Sequence, residues 1–212
     1  QCFVYGNYMK GSSGRTESAG LRIINPNNTC FNNYVENLEG GDKSLKAPIT
    51  IMSGLVGSEL NEYYPADNAI IAYNTVVNSV GPAIRLGMGN SAKGKPMIAP
   101  KNVILVGNII INSLGKNTDP IELSDPNTTY TSKNNFYNNG STNITGFSLF
   151  NTKEIIQKNE FKYLQKSIDQ SVVDSINQRL SVHHIQLTLA EITQFNPQWI
   201  VTKQQVGVSW MK

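Results

Sequence analysis

A short asparagine-bearing segment repeats along the chain and constrains its fold more than any other feature. The clearest copy spans residues 20–40 and reads GLRIINPNNTCFNNYVENLEG. It contains a short apolar run, a polar corner of asparagine and proline, an alternating stretch and a closing glycine. Apolar alternation in short pieces between Asn, Gly and Pro corners is typical of strands and not of helices. Repeated, such a unit would form a coil of strands.

Four further segments repeat this pattern, and each carries an asparagine after a short strand-like run. They read QCFVYGNYMKG, DNAIIAYNTVVNSVG, KNVILVGNIIINSLG and NTTYTSKNNFYNNG. The aligned asparagines are Asn7, Asn33, Asn74, Asn108 and Asn135, with spacings of 26, 41, 34 and 27 residues. Self-similarity at roughly this period predicts an all-β fold, a parallel β-helix that forms a single-stranded solenoid. An antiparallel sandwich of short strands remains the alternative.

Asparagine suits the corner of a rung for two reasons. It tolerates left-handed backbone geometry, and its side-chain amide can bond the backbone of the neighbouring rung. The rhythm weakens after Asn135, and Thr152–Leu180 is compatible with an amphipathic helix as well as with irregular strands. We predict one domain, with rungs over 1–150, and with loose, partly helical terminal rungs and a C-terminal cap over 151–212. Val206–Trp210 is predicted to form a last strand.

Composition argues against several classes of partner. The net charge is +3 without a basic run, which argues against nucleic acid, although a mild positive bias suits a polyanionic ligand. No apolar stretch is long enough to span a bilayer. Cys2 and Cys30 fall on apolar alternation in neighbouring rungs, so we predict two buried thiols and neither a disulfide framework nor a metal site.

The sequence contains few groups that suggest chemistry. No His, Cys and carboxylate cluster has metal-ligand spacing, and no nucleophile elbow, phosphate loop or dinucleotide motif is present. His183 and His184 are predicted to have a surface or packing role, and 122–125 is predicted to be a strand end. Arg22 stands out because leucine and isoleucine flank it, so that its side chain projects from a strand. Either it is an ordinary arginine on the outer polar face, or it is a rigidly mounted guanidinium that recognises a carboxylate or sulfate.

The segment of residues 20–40, followed by KAPITIMSG, NAIIAYNTVVN and NVILVGNIIIN, resembles the second half of polysaccharide lyase family 6. That family contains alginate lyases and chondroitinase B and is built on a right-handed parallel β-helix. The resemblance implies calcium-assisted β-elimination at uronic acid residues of an acidic polysaccharide, with alginate favoured and chondroitin or dermatan sulfate next. It also implies a secreted or periplasmic location.

Residue by residue, the resemblance implies a substrate-binding set of Arg22, Lys46, Tyr63 and Tyr64. Arg22 matches the family's arginine in Gly-Gly-Ile-Arg-Ile-Ile, and Lys46 stands where arginine is common. Tyr63 or Tyr64 corresponds to a substrate-side tyrosine. Asn28 departs from the family, which usually has histidine there.

The family's catalytic lysine, its calcium ligands and its Arg-His-Gly segment would all lie upstream of Gln1. The chain also begins inside a strand pattern. We therefore expect a C-terminal portion that holds neither catalytic residues nor calcium ligands and that partners the upstream half of the same β-helix. A non-catalytic β-helix for glycan adhesion or structural support is the alternative. A pectate-lyase-like or epimerase β-helix would need Asp/Glu-rich calcium rungs, which the sequence lacks.

Overall fold

The computed structural model of the protein describes residues 1–11, 19–38, 47–58, 63–89, 96–111, 120–138, 169–185, 187–189 and 192. These ranges contain short strands and one helix with defined bounds. The elements are β1 (Phe3–Tyr5), β2 (Tyr8–Lys10), β3 (Leu21–Ile23), β4 (Thr29–Phe31), β5 (Tyr34–Glu36), β6 (Ile49–Met52), β7 (Gly54–Leu55), β8 (Ile70–Ala72), β9 (Thr75–Val77), β10 (Ile84–Met88), β11 (Met97–Ile98), β12 (Val103–Val106), β13 (Ile109–Ile111), β14 (Ile121–Leu123), β15 (Tyr130–Lys133), β16 (Phe136–Asn138) and α1 (Gln170–Ser181).

Most of the strands belong to three parallel sheets. Sheet A has the order β1-β4-β8-β12-β15, sheet B has β2-β5-β9-β13-β16, and sheet C has β3-β6-β10-β14. The chain passes from sheet C to sheet A to sheet B and then returns to sheet C one strand further along, so each rung adds one strand to each sheet. The predicted parallel β-helix is confirmed. The antiparallel sandwich is wrong for the described strands, among which only β7 and β11 pair in opposite directions.

Alternate residues of each strand point into the coil and form one stacked core. Positions in register carry apolar side chains, most of them β-branched, which stack from rung to rung. The buried stacks are Cys30, Ile71 and Leu105 in sheet A, Val35, Val76 and Ile110 in sheet B, and Ile49 and Ile84 in sheet C. This repetition of side-chain size explains why the sequence repeat is visible without any exact motif.

The five aligned asparagines form a continuous ladder at the corner between sheets A and B. The Oδ1 atom of Asn74 accepts from the backbone N–H of Asn33 at 3.1 Å and from its Nδ2 at 2.9 Å. Nδ2 of Asn74 in turn donates to the Cys30 carbonyl and to Oδ1 of Asn108, both at 3.0 Å. The same bonds continue from Asn7 to Asn33 and from Asn108 to Asn135. The predicted bonding of the amides to the neighbouring rung is confirmed.

The left-handed geometry predicted for these asparagines is wrong. The residue that precedes each of them adopts it instead, and these residues are Gly6, Asn32, Tyr73, Gly107 and Asn134. Two different residues therefore share the corner. The asparagine directs its amide along the stack, and the residue before it adopts the left-handed conformation that turns the backbone. Gly107 has φ of 61°, and a Cβ there would lie 2.5 Å from the Tyr73 ring. Glycine therefore fits this position for both backbone and packing reasons.

Helix α1 covers the outer face of sheet A. Its buried side chains, Val172, Val173, Ile176 and Leu180, pack with outward-facing residues of the sheet such as Phe31, Ile70 and Val106. Asp169 caps the helix by accepting from the backbone N–H of Ser171 at 3.1 Å. The predicted helical character of Thr152–Leu180 is thus confirmed over the part that α1 occupies. The described residues include no helix with the length and apolar character needed to cross a membrane.

The prediction of two buried thiols is half wrong. Cys30 is fully buried, and burial raises its pKa to about 12, so that it stays a thiol. Cys2 is exposed and lies just before β1, which is the edge strand of sheet A. Both cysteines are free. The predicted last strand, Val206–Trp210, lies outside the described residues.

Candidate functional site

The outer face of sheet C carries one polar side chain from each rung, in register. Each of them lies between two apolar residues of its strand, and the period of two places it on the face opposite to theirs. Arg22 pairs with Thr50, Thr50 pairs with Arg85, and Arg85 pairs with Glu122. We call these four residues the Arg22 column. Neighbouring strands lie about 4.8 Å apart, so the column extends over about 14 Å.

Arg22 and Thr50 form the end of the column that carries an exposed guanidinium beside a buried hydroxyl. Arg22 is exposed, and no described residue pairs with its guanidinium. Thr50 is 1% exposed, and its Oγ1 atom has no hydrogen-bond partner among the described residues. A buried hydroxyl without a partner costs about 1–3 kcal/mol. A ligand oxygen or N–H that reached Thr50 would recover this free energy.

Arg85 and Glu122 form the other end of the column, and their charges offset each other. Arg85 is 5% exposed, and its Nε lies 3.4 Å from Oε2 of Glu122. The Ser124 hydroxyl donates to Oε1 of Glu122 at 2.8 Å, which orients the carboxylate. The predicted strand end at 122–125 is confirmed, since β14 ends at Leu123 and Asp125 begins a turn.

Of the predicted substrate-binding set, Arg22 lies on this face, whereas the tyrosines lie at the corner between sheets C and A. Tyr64 is hydrogen-bonded through its backbone to Asn25, which follows β3. Its hydroxyl donates to the Ser58 carbonyl at 3.2 Å. The Tyr63 carbonyl accepts from Leu55 N–H, so both tyrosines are held at the rim of the face. Lys46 lies outside the described residues.

Sequence reasoning missed the other three members of the Arg22 column. A signal was present, because each rung places one polar residue between two apolar ones at the start of its sheet C strand. These triplets are Leu21-Arg22-Ile23, Ile49-Thr50-Ile51, Ile84-Arg85-Leu86 and Ile121-Glu122-Leu123. Aligning the rungs on sheet C, and not on the asparagines, would have brought the four residues together.

A second polar cluster lies on the outer face of sheet B and is already satisfied internally. The Tyr8 hydroxyl donates to Oε1 of Glu36 at 2.5 Å. Burial, together with this carboxylate, raises the pKa of Tyr8 and of Tyr34 well above the usual value. These hydroxyls therefore stay protonated and serve to hold a buried carboxylate.

A cavity of about 210 Å³ lies between sheet A and the start of α1. Its polar lining includes Lys133, Asp169 and Ser171. A hydrogen bond from the Ser171 side chain lowers the pKa of Asp169, and this carboxylate also caps α1. The cavity is therefore a product of helix docking, on a different sheet from the Arg22 column.

The predicted surface or packing role of the two histidines agrees with their position just after α1. Both are exposed, and the His183 ring meets Phe3 edge-on at a centroid distance of 5.4 Å. Among the described residues no three His, Cys, Asp or Glu side chains come together as a metal site. The described residues therefore offer no cluster of three such side chains to the calcium that the resemblance implies.

A family model described as chondroitinase B matches residues 1–181. The chain belongs to the chondroitinase B family. The match covers every strand described above and α1, so membership applies to the whole described β-helix. It agrees with the resemblance to polysaccharide lyase family 6. A comparison with curated proteins finds no match.

Proposed function

We propose that the chain forms the substrate-binding part of a polysaccharide lyase and holds an acidic, uronate-containing polysaccharide against sheet C. Family membership supports the relationship to lyases. The observation that carries the proposal is the pairing of Arg22, an exposed guanidinium, with Thr50, a buried hydroxyl that lacks a partner. Alginate is the favoured substrate and chondroitin or dermatan sulfate the next.

The chemistry of these two groups suits a carboxylate or sulfate. A guanidinium forms two parallel hydrogen bonds to a carboxylate, and its planar, pre-organised fork reduces the side-chain entropy that is lost per bond. The Thr50 hydroxyl can donate to the same anion or accept from a sugar hydroxyl. Together they would fix one acidic sugar unit against the face.

Cleavage by β-elimination needs more than this binding. A base must remove the proton next to the uronate carboxyl group, and an acid must protonate the leaving oxygen. An arginine stays charged at all accessible pH values and is a poor base. Arg22 and Thr50 therefore position the substrate, and we propose that base, acid and calcium ligands are supplied from outside the described residues. An extracellular or periplasmic location fits such a substrate.

A non-catalytic glycan-binding β-helix is the second candidate. It is favoured by the absence of a histidine or lysine from the Arg22 column. The two candidates differ in one outcome. Only a lyase in which the proposed base and acid are also present generates unsaturated uronate, which absorbs in the ultraviolet.

Calorimetric titration with alginate and dermatan sulfate oligosaccharides tests the proposal. We expect Arg22→Ala to weaken binding by at least about tenfold, since it removes a charge-assisted bidentate contact. Lys10→Ala removes an equal charge from an exposed position on sheet B and serves as the control. Equal affinities for the wild type and Arg22→Ala would refute the proposed site. Ultraviolet absorbance recorded with the same samples should show no turnover by the isolated chain.

A further inference from the structure

The outer face of sheet A changes from apolar to polar at β15, which ends the order of that sheet. On β12 this face carries Ile104 and Val106, and the residues in register with them on β15 are Thr131 and Lys133. Val106 is buried in the cluster that α1 completes, whereas Thr131 and Lys133 are exposed. The helix therefore covers the apolar strands and leaves the polar strand open to solvent.

The cavity of about 210 Å³ lies along this boundary. Ile104, Thr131 and Lys133 line it from the sheet, and Asp169 and Ser171 line it from the start of α1. Because Thr131, Lys133 and Ser171 are exposed, the cavity opens to solvent. Its volume far exceeds the about 10–15 Å³ that one water molecule needs and lies below the about 300 Å³ at which drug-sized sites begin. This size suits one small ring compound.

The two charged groups of the cavity balance each other. A hydrogen bond from the Ser171 side chain lowers the pKa of Asp169, so this carboxylate is ionised at neutral pH and offsets the ammonium group of Lys133. Lys133 is exposed, and solvent screens its charge, whereas Asp169 is only partly exposed. A ligand anion would therefore be repelled by Asp169 at short range and gain little from Lys133. The cavity favours a ligand without net charge that both donates and accepts hydrogen bonds.

We propose that this cavity is a carbohydrate site, separate from the Arg22 column, that takes one neutral sugar unit. The C–H face of the sugar ring packs on Ile104 and Val172, which form the apolar part of the lining. Sugar hydroxyl groups donate to the Asp169 carboxylate and accept from the Lys133 ammonium group, and a hydroxyl can do both. The site lies on sheet A and requires neither Arg22 nor catalysis, so it goes beyond the proposed function.

Titration of the ¹⁵N-labelled protein with five neutral sugars tests the site. The sugars are glucose, galactose, mannose, N-acetylglucosamine and N-acetylgalactosamine. We expect at least one of them to bind with millimolar affinity and to shift the backbone amides of β15 and of the first turn of α1. Glucuronate and galacturonate have the same rings as glucose and galactose and carry one negative charge, so they should bind at least about fivefold more weakly than the best neutral sugar.

The variant Lys133→Met keeps the apolar stem of the side chain and removes its hydrogen-bond donors. We expect it to bind the best neutral sugar about tenfold more weakly than the wild type. Lys10→Met is the matched control, because it removes an equal charge from an exposed position on sheet B and should leave the affinity unchanged. Thr131→Phe fills the cavity from an exposed strand position and should abolish binding without altering either charged group.

The two carbohydrate sites can be tested independently. Arg22→Ala should bind the neutral sugar as the wild type does, whereas Lys133→Met should bind acidic oligosaccharides as the wild type does. No binding by any of the five sugars, or equal affinities for wild type and folded Lys133→Met, would overturn the cavity site and leave the Arg22 site standing. Binding of leucine, a zwitterion with an apolar body, in place of the sugars would overturn the assigned ligand class.

Discussion

Thr50 is the residue at which we expect stability and the proposed binding to oppose each other. Its hydroxyl is buried without a partner among the described residues, while its backbone holds a central strand of sheet C. Such a group lowers the stability of the free protein and becomes favourable only when a ligand satisfies it.

The isosteric variant Thr50→Val separates these two effects. We expect the free protein to gain about 1 kcal/mol in free energy of unfolding, because a buried polar group is replaced by a methyl group. Affinity for acidic oligosaccharides should fall in the same variant. Urea denaturation and calorimetric titration measure the two quantities, and a variant that is both less stable and equally able to bind would refute the role of the hydroxyl.

Asn74 has the opposite character, since all the capacity of its side chain is used inside the coil. Its amide joins the rung before it to the rung after it through five hydrogen bonds, one of them from the Cys30 thiol. Removing the amide would take the acceptor from the Asn33 backbone N–H and one hydrogen bond each from the Asn33 side chain and the Cys30 carbonyl, while Asn108 Oδ1 would keep only the Asn74 backbone N–H.

We expect Asn74→Ala to lower the free energy of unfolding by about 3 kcal/mol or more. Asn102→Gly is the control, because Asn102 is exposed, has φ of 56° and makes one side-chain bond along the stack, to Asn68. Glycine keeps the left-handed backbone there, so the loss should stay below about 1 kcal/mol. If chemical denaturation gave similar losses in free energy of unfolding for both variants, the buried asparagine ladder would contribute no more to stability than the exposed contact of Asn102.

At the scale of elements, α1 acts as a clamp across the rungs. Arg179 in its last turn donates to Thr29 Oγ1 at 3.0 Å and to the Asn68 carbonyl at 2.9 Å, which belong to successive rungs. Partial burial lowers the pKa of Arg179, but an arginine remains charged, and its bonds offset the cost of desolvation.

Arg179→Ala should therefore destabilise the protein by about 2 kcal/mol and increase hydrogen exchange in α1 more than in the sheets. Gln178 is exposed on the same helix, so Gln178→Ala serves as the control and should change stability by less than about 0.5 kcal/mol. Uniform exchange changes across α1 and all three sheets would argue that the helix unfolds with the coil and does not act as a separate clamp.

Helix α1 also shows that the sequence can predict an element without predicting what the element packs against. Its spacing indicated helical character, but nothing in the spacing identified sheet A as its partner. The outer residues of that sheet, Phe31 and Ile70, are apolar like the inner ones, so alternation could not separate the two faces. Only the folded coil brings them to the inner side of α1.

At the scale of the whole molecule, the repeat of asparagines predicted the coil because each rung must repeat the same corner. The Arg22 column was less visible, since its members are Arg, Thr, Arg and Glu and share no side-chain type. Their alignment depends on the strand register, which the unequal loop lengths conceal. The sequence therefore predicted that Arg22 binds substrate, but it did not reveal the three residues that lie in register with Arg22 on sheet C.

Chemical-shift mapping with an acidic oligosaccharide tests most directly whether sheet C is the binding face. Backbone amides of the ¹⁵N-labelled protein would be followed during titration with an oligouronate. We expect the largest shifts in β3 and β6, around Arg22 and Thr50, with little change in sheet B or α1. Shifts centred on sheet B or on α1, or no shifts at saturating ligand, would contradict the account.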